Sequence, residues 1–138
     1  MNDLIEWLNS LENCKAKDFW CKDIAKINKE SLMRIKHLDI SSNWNQNLHK
    51  DLFKLNLATI DFSYCNVDDL RIISNSLLEI NAYDCEMSKV KIISDSLNRL
   101  DISENCLESI SIKCPKLFWA DISSRRNIIK SINLDTPF

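Results

Sequence analysis

The sequence predicts an α/β repeat solenoid with helices at its N-terminal end. The first observation is a period of 20 residues: Leu97, Leu100, Ile102, Asn105, Leu107, Ile110 and Ile112 fill positions 1, 4, 6, 9, 11, 14 and 16 of a unit. Twenty residues earlier the same places hold Leu77, Ile80, Ala82, Cys85, Met87, Val90 and Ile92, and before those Leu57, Ile60, Phe62, Cys65, Val67, Leu70 and Ile72. The second is the alternation within each unit: positions 4 and 6 point to one face of a short strand, positions 3, 5 and 7 to the other. The third is position 9, always Asn or Cys. A buried turn needs a side chain there that satisfies backbone groups, as Asn does, or one small enough to bury, as Cys is. One unit cannot bury its apolar face alone, so units must stack and pair strand on strand in parallel.

The elements follow in order. Leu4, Ile5, Leu8 and Leu11, with Trp7 beside them, predict a helix over 3–14, with Asn2 or Asp3 able to cap its start. A second helix is expected from Lys17 to Lys29, with Phe19, Trp20, Ile24 and Ile27 inward. Together they read as an N-terminal helical cap over residues 1–34, because the end of a solenoid otherwise exposes its core. Five repeats then occupy 35–56, 57–76, 77–96, 97–116 and 117–138, forming one domain with the cap. In the first, Ile35, Leu38, Ile40 and Asn43 are in register, and Leu48, Leu52 and Leu55 suggest a turn or two of helix. In repeats two to four the alternation at positions 14 and 16 reads as extended chain. In the fifth, a two-residue insertion near Arg125 and Arg126 restores Asn127, Ile129, Ile132 and Leu134 to register. No C-terminal cap is visible beyond what Pro137 and Phe138 can cover, so the last coil is expected to be an exposed strand edge, one that pairs with another copy, is blunted by polar side chains, or marks a fragment of a longer repeat array.

Composition narrows the function. A length of 138 residues fits one domain, and a net charge of −2 gives no electrostatic case for nucleic acid or an anionic membrane. No run of about 18 apolar residues predicts a membrane span, and the N-terminus lacks the pattern of a signal peptide. Glycine is absent, so turns must rest on Asn, Asp and Ser. The abundance of Lys, Asn, Ile and Ser suggests an A/T-rich genome. Of the six cysteines, Cys65 and Cys85 sit at the buried turn position and read as free thiols, which points to a reducing, cytoplasmic setting. No zinc spacing, calcium loop or glycine-rich phosphate loop is present, and no nucleophile shares a recognisable site with a base. The sequence is therefore expected to need no metal or cofactor and to be no enzyme.

The repeats resemble the leucine-rich repeat, L-x-x-L-x-L-x-x-N/C-x-L. The resemblance covers residues 35–134 and implies a right-handed superhelix with a parallel concave β-sheet. The 20–22-residue unit is similar to that of the bacterial leucine-rich repeat effector class, which also has a helical hairpin before its repeats. The convex segments here read LRII, VKII and ISIK where that class has prolines. The wider family mostly binds proteins through the concave sheet. On that face positions 3, 5, 7 and 8 supply an acidic column, Asp39, Asp61, Asp101 and Asp121, interrupted by Asn81 and reinforced by Glu79, Asp84 and Glu104. Arg99 lies among them, and Tyr64, Tyr83 and Trp119 are aromatic anchors of the kind enriched at binding hot spots. The Asp column has a plainer reading as well, since Asp at position 5 with Ser at position 7 is common sheet decoration in the family. The expected partner is a protein with a basic contact surface. The chain would act as an effector-like adaptor in a host cytoplasm, as a cytoplasmic bacterial inhibitor or immunity protein against a basic toxin or nuclease, or as a structural fragment of a larger repeat assembly.

Overall fold

The computed structural model describes residues 1–137. It is a mostly β, parallel-strand, solenoid-like stack of about five turns with few helices. The chain runs α1 (Asn2–Ser10), β1 (Lys15–Lys17), β2 (Asp23–Ile24), α2 (Lys29–Leu32) and β3 (His37–Asp39), then a single 3-10 turn, Leu52–Lys54. After it β4 (Thr59–Asp61), β6 (Glu79–Asn81), β8 (Arg99–Asp101) and β10 (Trp119–Asp121) alternate with β5 (Asp69–Ile73), β7 (Lys89–Ile93), β9 (Ser109–Lys113) and β11 (Ser131–Asp135). The first group joins a seven-stranded sheet in the order β10-β8-β6-β4-β3-β1-β2, and the second forms a four-stranded sheet, β11-β9-β7-β5. All pairings from β3 onward are parallel and in register at the sequence period, Leu38 beside Ile60, Ile60 beside Ile80 and Ile80 beside Leu100.

Every repeat position named for 57–112 is buried, and these side chains form one continuous core with Ile35, Leu38 and Ile40. Each fully buried Leu or Ile contributes about 1.5–3 kcal/mol relative to exposure. The corner at position 9 is closed by a column of small polar groups. Asn105 accepts hydrogen bonds from the backbone N–H of Cys85 and Met87 and donates to the carbonyls of Ala82 and Ile102. Cys65 and Cys85 donate their thiols to the carbonyls of Ile40 and Phe62, one coil back. Asn127 accepts from the Leu107 N–H and donates to the Ile122 carbonyl, and Ile132 pairs with Ile110, so the chain resumes register after Arg125 and Arg126. A second corner, at position 18, is closed by Ser74, Ser94 and Cys114. Ser74 accepts from the N–H of Ser76 and Leu77, and Ser94 from those of Ser96 and Leu97.

The N-terminal region differs from expectation. Helix α1 buries Leu4 and Leu8 in the core, but Met1 stands at the cap position with no side-chain cap bond, so neither Asn2 nor Asp3 caps it. The second helix does not form over Lys17–Lys29. The segment instead makes the antiparallel pair β1–β2, and β1 pairs antiparallel with β3. The reason is the free edge of β3, whose backbone groups need a partner that a helix cannot supply. Asp18 then turns the chain by accepting hydrogen bonds from the N–H of Trp20 and Lys22, which leaves Phe19 and Trp20 exposed rather than inward. Asn28 and Ser31 cap the short α2 reciprocally. The expected convex helix of the first repeat is only the 3-10 turn, with Leu52 and Leu55 buried. At the other end, Ile129, Ile132 and Leu134 are exposed because no further coil lies on them among the described residues, and Phe138 lies outside those residues.

Candidate functional site

The outer face of the seven-stranded sheet carries two in-register columns. The position-5 column runs Lys15, Asp39, Asp61, Asn81, Asp101, Asp121. The position-3 column runs Lys17, His37, Thr59, Glu79, Arg99, Trp119. An open groove of ≈ 490 Å³ follows both columns as far as Asp101 and Trp119, with Lys15 and Lys17 at one end and Arg99 near the other.

The aspartates do not stand free. In Asp39, Asp61, Asp101 and Asp121 one oxygen, Oδ1, accepts both the N–H and the hydroxyl of the serine two residues on. All four side chains are half-buried, and those bonds from Ser123 hold the Asp121 carboxyl below the usual range. The column therefore closes the turn that ends each strand, as the plainer reading of the Asp/Ser pattern has it. In the third coil Tyr83 stands where the others have Ser. There Asn81 accepts the Tyr83 N–H and donates its amide to Asp61 Oδ2 at 3.3 Å, which offsets repulsion between neighbouring carboxylates. Asn13 donates to Asp39 Oδ1 and to the Ser41 carbonyl, and so ties the N-terminal segment to the first coil.

The candidate residues divide into two groups. Asp39, Asp61, Glu79, Arg99, Asp101 and Trp119 line the groove, with the Arg99 guanidinium 4.7 Å from the Trp119 ring centre. Tyr64, Asp84 and Glu104 lie instead on the corner beyond the strands. They and Ser42 take left-handed backbone conformations, φ between 49° and 65°, at position 8 of their coils. Without glycine these corners carry about 1–2 kcal/mol of backbone cost each. On this corner Tyr64 packs edge-on against Tyr83, ring centres 5.4 Å apart, and against Trp44 at 5.8 Å. Sequence reasoning missed Trp44, because position 10 was not among the outward positions considered. Burial, with Tyr64 and the carboxylates of Glu104, Asp84 and Asp101 nearby, pushes the Tyr83 hydroxyl upward. Arg126 reaches back to the Asp84 carboxylate at 3.0 Å and to the backbone carbonyl of Glu104, so of these two acids it engages Asp84 alone. Sequence reasoning also missed Lys15 and Lys17, because it ended one helix at residue 14 and began another at Lys17, with no strand between them.

All six cysteines are free thiols. Burial pushes Cys85 up to about 12 and Cys14 and Cys114 up to about 11, and raises Cys65 as well. Among the described residues no group of three or more His, Cys, Asp or Glu side chains is placed to hold a metal ion. Among them, too, no helix is long and apolar enough to cross a membrane.

This geometry defines a parallel β-solenoid-like repeat protein with a charged groove on its larger sheet. No family model and no solved structure matches the chain. The chain is similar to the molybdopterin synthase catalytic subunits of Drosophila persimilis and Drosophila pseudoobscura pseudoobscura, each 35% identical over 93 residues. The matched stretch is 67% of this chain and 22% of theirs. The expectation that the chain is no enzyme is overturned by these relatives, both of which carry the name of a catalytic subunit.

Proposed function

We propose that the chain is a solenoid of the leucine-rich-repeat type that binds a protein through the groove face of its seven-stranded sheet. The observation that carries this reading is the position-3 column. Positions 5 and 7 repeat the same Asp–Ser turn in four of the five coils, whereas His37, Thr59, Glu79, Arg99 and Trp119 present a different side chain on every coil of one sheet. Chemically varied side chains on a fixed scaffold suit recognition, and Trp119, with Tyr64 and Tyr83 at the corner, supplies anchor residues. The partner presents basic groups toward Glu79 and Asp101. Free thiols support a reducing compartment. Effector-like adaptor and cytoplasmic inhibitor are both roles that such a face can serve. The likeness to proteins named as catalytic subunits supports a further setting, an enzyme assembly in which this face holds a partner protein.

The test is a photo-reactive side chain placed at Asp61 in the groove or at Lys91 on the opposite sheet. A protein crosslinked from position 61 and not from position 91 supports the reading, and the reverse pattern rejects it. A second reading rests on a separate observation. The outer edges of β10 and β11 are unpaired among the described residues, and Ile132 and Leu134 are about half exposed, which favours pairing with a second copy or a further coil. Concentration-dependent mass by light scattering, abolished by Ile132→Lys, is the expected outcome there.

A further inference from the structure

We propose that the groove takes an extended protein segment of bipolar charge, acidic over Lys15 and Lys17 and basic over Glu79 and Asp101. The proposal rests on the reading that this face binds protein, and it specifies that partner. The hairpin adds β1 to the sheet edge and puts Lys15 in line with the Asp column and Lys17 in line with His37. Both lysines are exposed, both line the groove, and neither forms an ion pair among the described residues.

Availability of charge along the groove is uneven. Asp39 takes its bonds from Asn13 and Ser41 on Oδ1 alone and sits beside Lys15 across the β1–β3 pair, whereas both oxygens of Asp61 are engaged, by Ser63 and Asn81. Asp101 keeps its Oδ2 without a hydrogen bond, and Glu79 is exposed and makes none among the described residues. Arg99 stands beside Glu79 and offsets part of the acid there, as Asp39 offsets part of the charge of Lys15, so a net negative charge remains over β6 and β8 and a net positive charge over β1 and β3. A wholly basic segment would set cations against Lys15 and Lys17, and like charges brought together across an interface oppose binding. From β1 to β10 the sheet spans about 24 Å, at about 4.8 Å per strand. About seven extended residues cover that distance.

The probes are two dye-labelled seven-residue peptides without aromatic residues. One carries two glutamates at one end and two lysines in its second half. The other has the glutamates replaced by lysines. Fluorescence anisotropy at low salt is read with the wild type, with Lys15→Glu/Lys17→Glu and with Glu79→Gln/Asp101→Asn, after thermal melts establish that each variant folds. The bipolar peptide is expected to bind the wild type about tenfold more tightly than the basic one, with the order reversed in Lys15→Glu/Lys17→Glu. Glu79→Gln/Asp101→Asn is expected to weaken both. Equal binding of the two peptides by the wild type, preference for the basic one, or no binding of either overturns the proposal. If the basic peptide wins and still loses affinity in Glu79→Gln/Asp101→Asn, the groove remains the binding face and only the bipolar segment falls. If neither peptide responds to that variant, the groove reading falls with it.

Discussion

Strands β4, β6, β8 and β10 are three residues long and run into a tight corner, whereas β5, β7, β9 and β11 are five residues long. The same coils build both sheets, yet the outward side chains behave differently. On the larger sheet Asp at position 5 is bonded to Ser at position 7, and the next residue bends into the left-handed region in coils one to four. On the smaller sheet Arg71, Lys89 and Lys91 stand exposed from plain strands whose inward residues Leu70, Ile72, Val90 and Ile92 are buried. A repeated outward residue is therefore not in itself a binding residue, because part of the acidic column is turn chemistry. The candidates for recognition are the residues that depart from the repeat, namely Lys15, Lys17, Glu79, Arg99, Tyr83 and Trp119, together with Asp101, whose turn bonds occupy only Oδ1.

The largest expected effect tests the inside/outside assignment on which this comparison stands. Leu100 is fully buried, so Leu100→Asp puts an unpaired carboxylate into the core at a cost near the whole stability of a small domain. Circular dichroism should show no cooperative melt. Asp101→Leu, its neighbour on the other face, forgoes only the two bonds from Ser103 and should melt cooperatively, about 1–2 kcal/mol less stable. Equal loss in the two variants means the register is wrong.

The two corners give the next contrast. Asn105 joins adjacent coils, accepting from Cys85 and Met87 and donating to Ala82, whereas the Ser94 hydroxyl accepts only from Ser96 and Leu97 in its own turn. Asn105→Leu should therefore cost about 3–5 kcal/mol in urea unfolding, because several buried backbone groups lose partners together, and Ser94→Ala about 1–2 kcal/mol. Asn105→Cys should fall between Asn105→Leu and the wild type, since Cys65 and Cys85 already fill this place by donating to the coil before.

Thiol ionisation acts on both corners, through Cys85 at one and Cys114 at the other. Burial raises both in the fold, to about 12 and about 11, from an ordinary value of 9.0. A raised folded value favours the neutral thiol in the native state, so stability is full below pH 9.0 and is lost as pH rises through about 11 for Cys114 and about 12 for Cys85. Unfolding free energies from urea titrations should fall across that window by an amount on the order of a few kcal/mol. Cys85→Ala/Cys114→Ala should reduce the fall, leaving the part due to Cys14 and Cys65, while lowering stability at neutral pH.

The repeating part of the fold was legible because its signal is chemical and periodic. Burial of Leu57 through Ile112 at fixed places follows from apolar side chains that only a stack of coils can cover. Asn127 could be placed despite the insertion because only Asn or Cys fits that corner. The hairpin was not legible, since Phe19, Trp20, Ile24 and Ile27 are compatible with a helix and the need for β1 comes from the free edge of β3, far along the chain. A local clue did exist in Asp18, a turn former whose carboxylate takes two N–H groups. The Ser74–Ser94–Cys114 column also recurs at the 20-residue period and marks the second corner. In the site, Asp101 and Trp119 could be placed on one face from alternation alone. Pairing of Asp84 with Arg126, 42 residues apart, depends on how the last coil folds back after its insertion.

The smallest expected effect is a difference of sign. Glu104 adopts φ 55° at its corner, where a Cβ crowds the following carbonyl and a glycine does not. Its backbone N–H still donates to Ser123, and its carbonyl accepts from Arg126, so a glycine keeps every main-chain bond there. Glu104→Gly therefore relieves strain but adds freedom to the unfolded chain, for a net gain of up to about 1 kcal/mol. Lys91 lies in the middle of β7, exposed and extended, where a glycine relieves nothing and weakens the strand by about 0.5–1 kcal/mol. Thermal melts of the two variants should move in opposite directions, by a few degrees each. Movement of both melts downward by the same amount would falsify the assignment of strain to the corner.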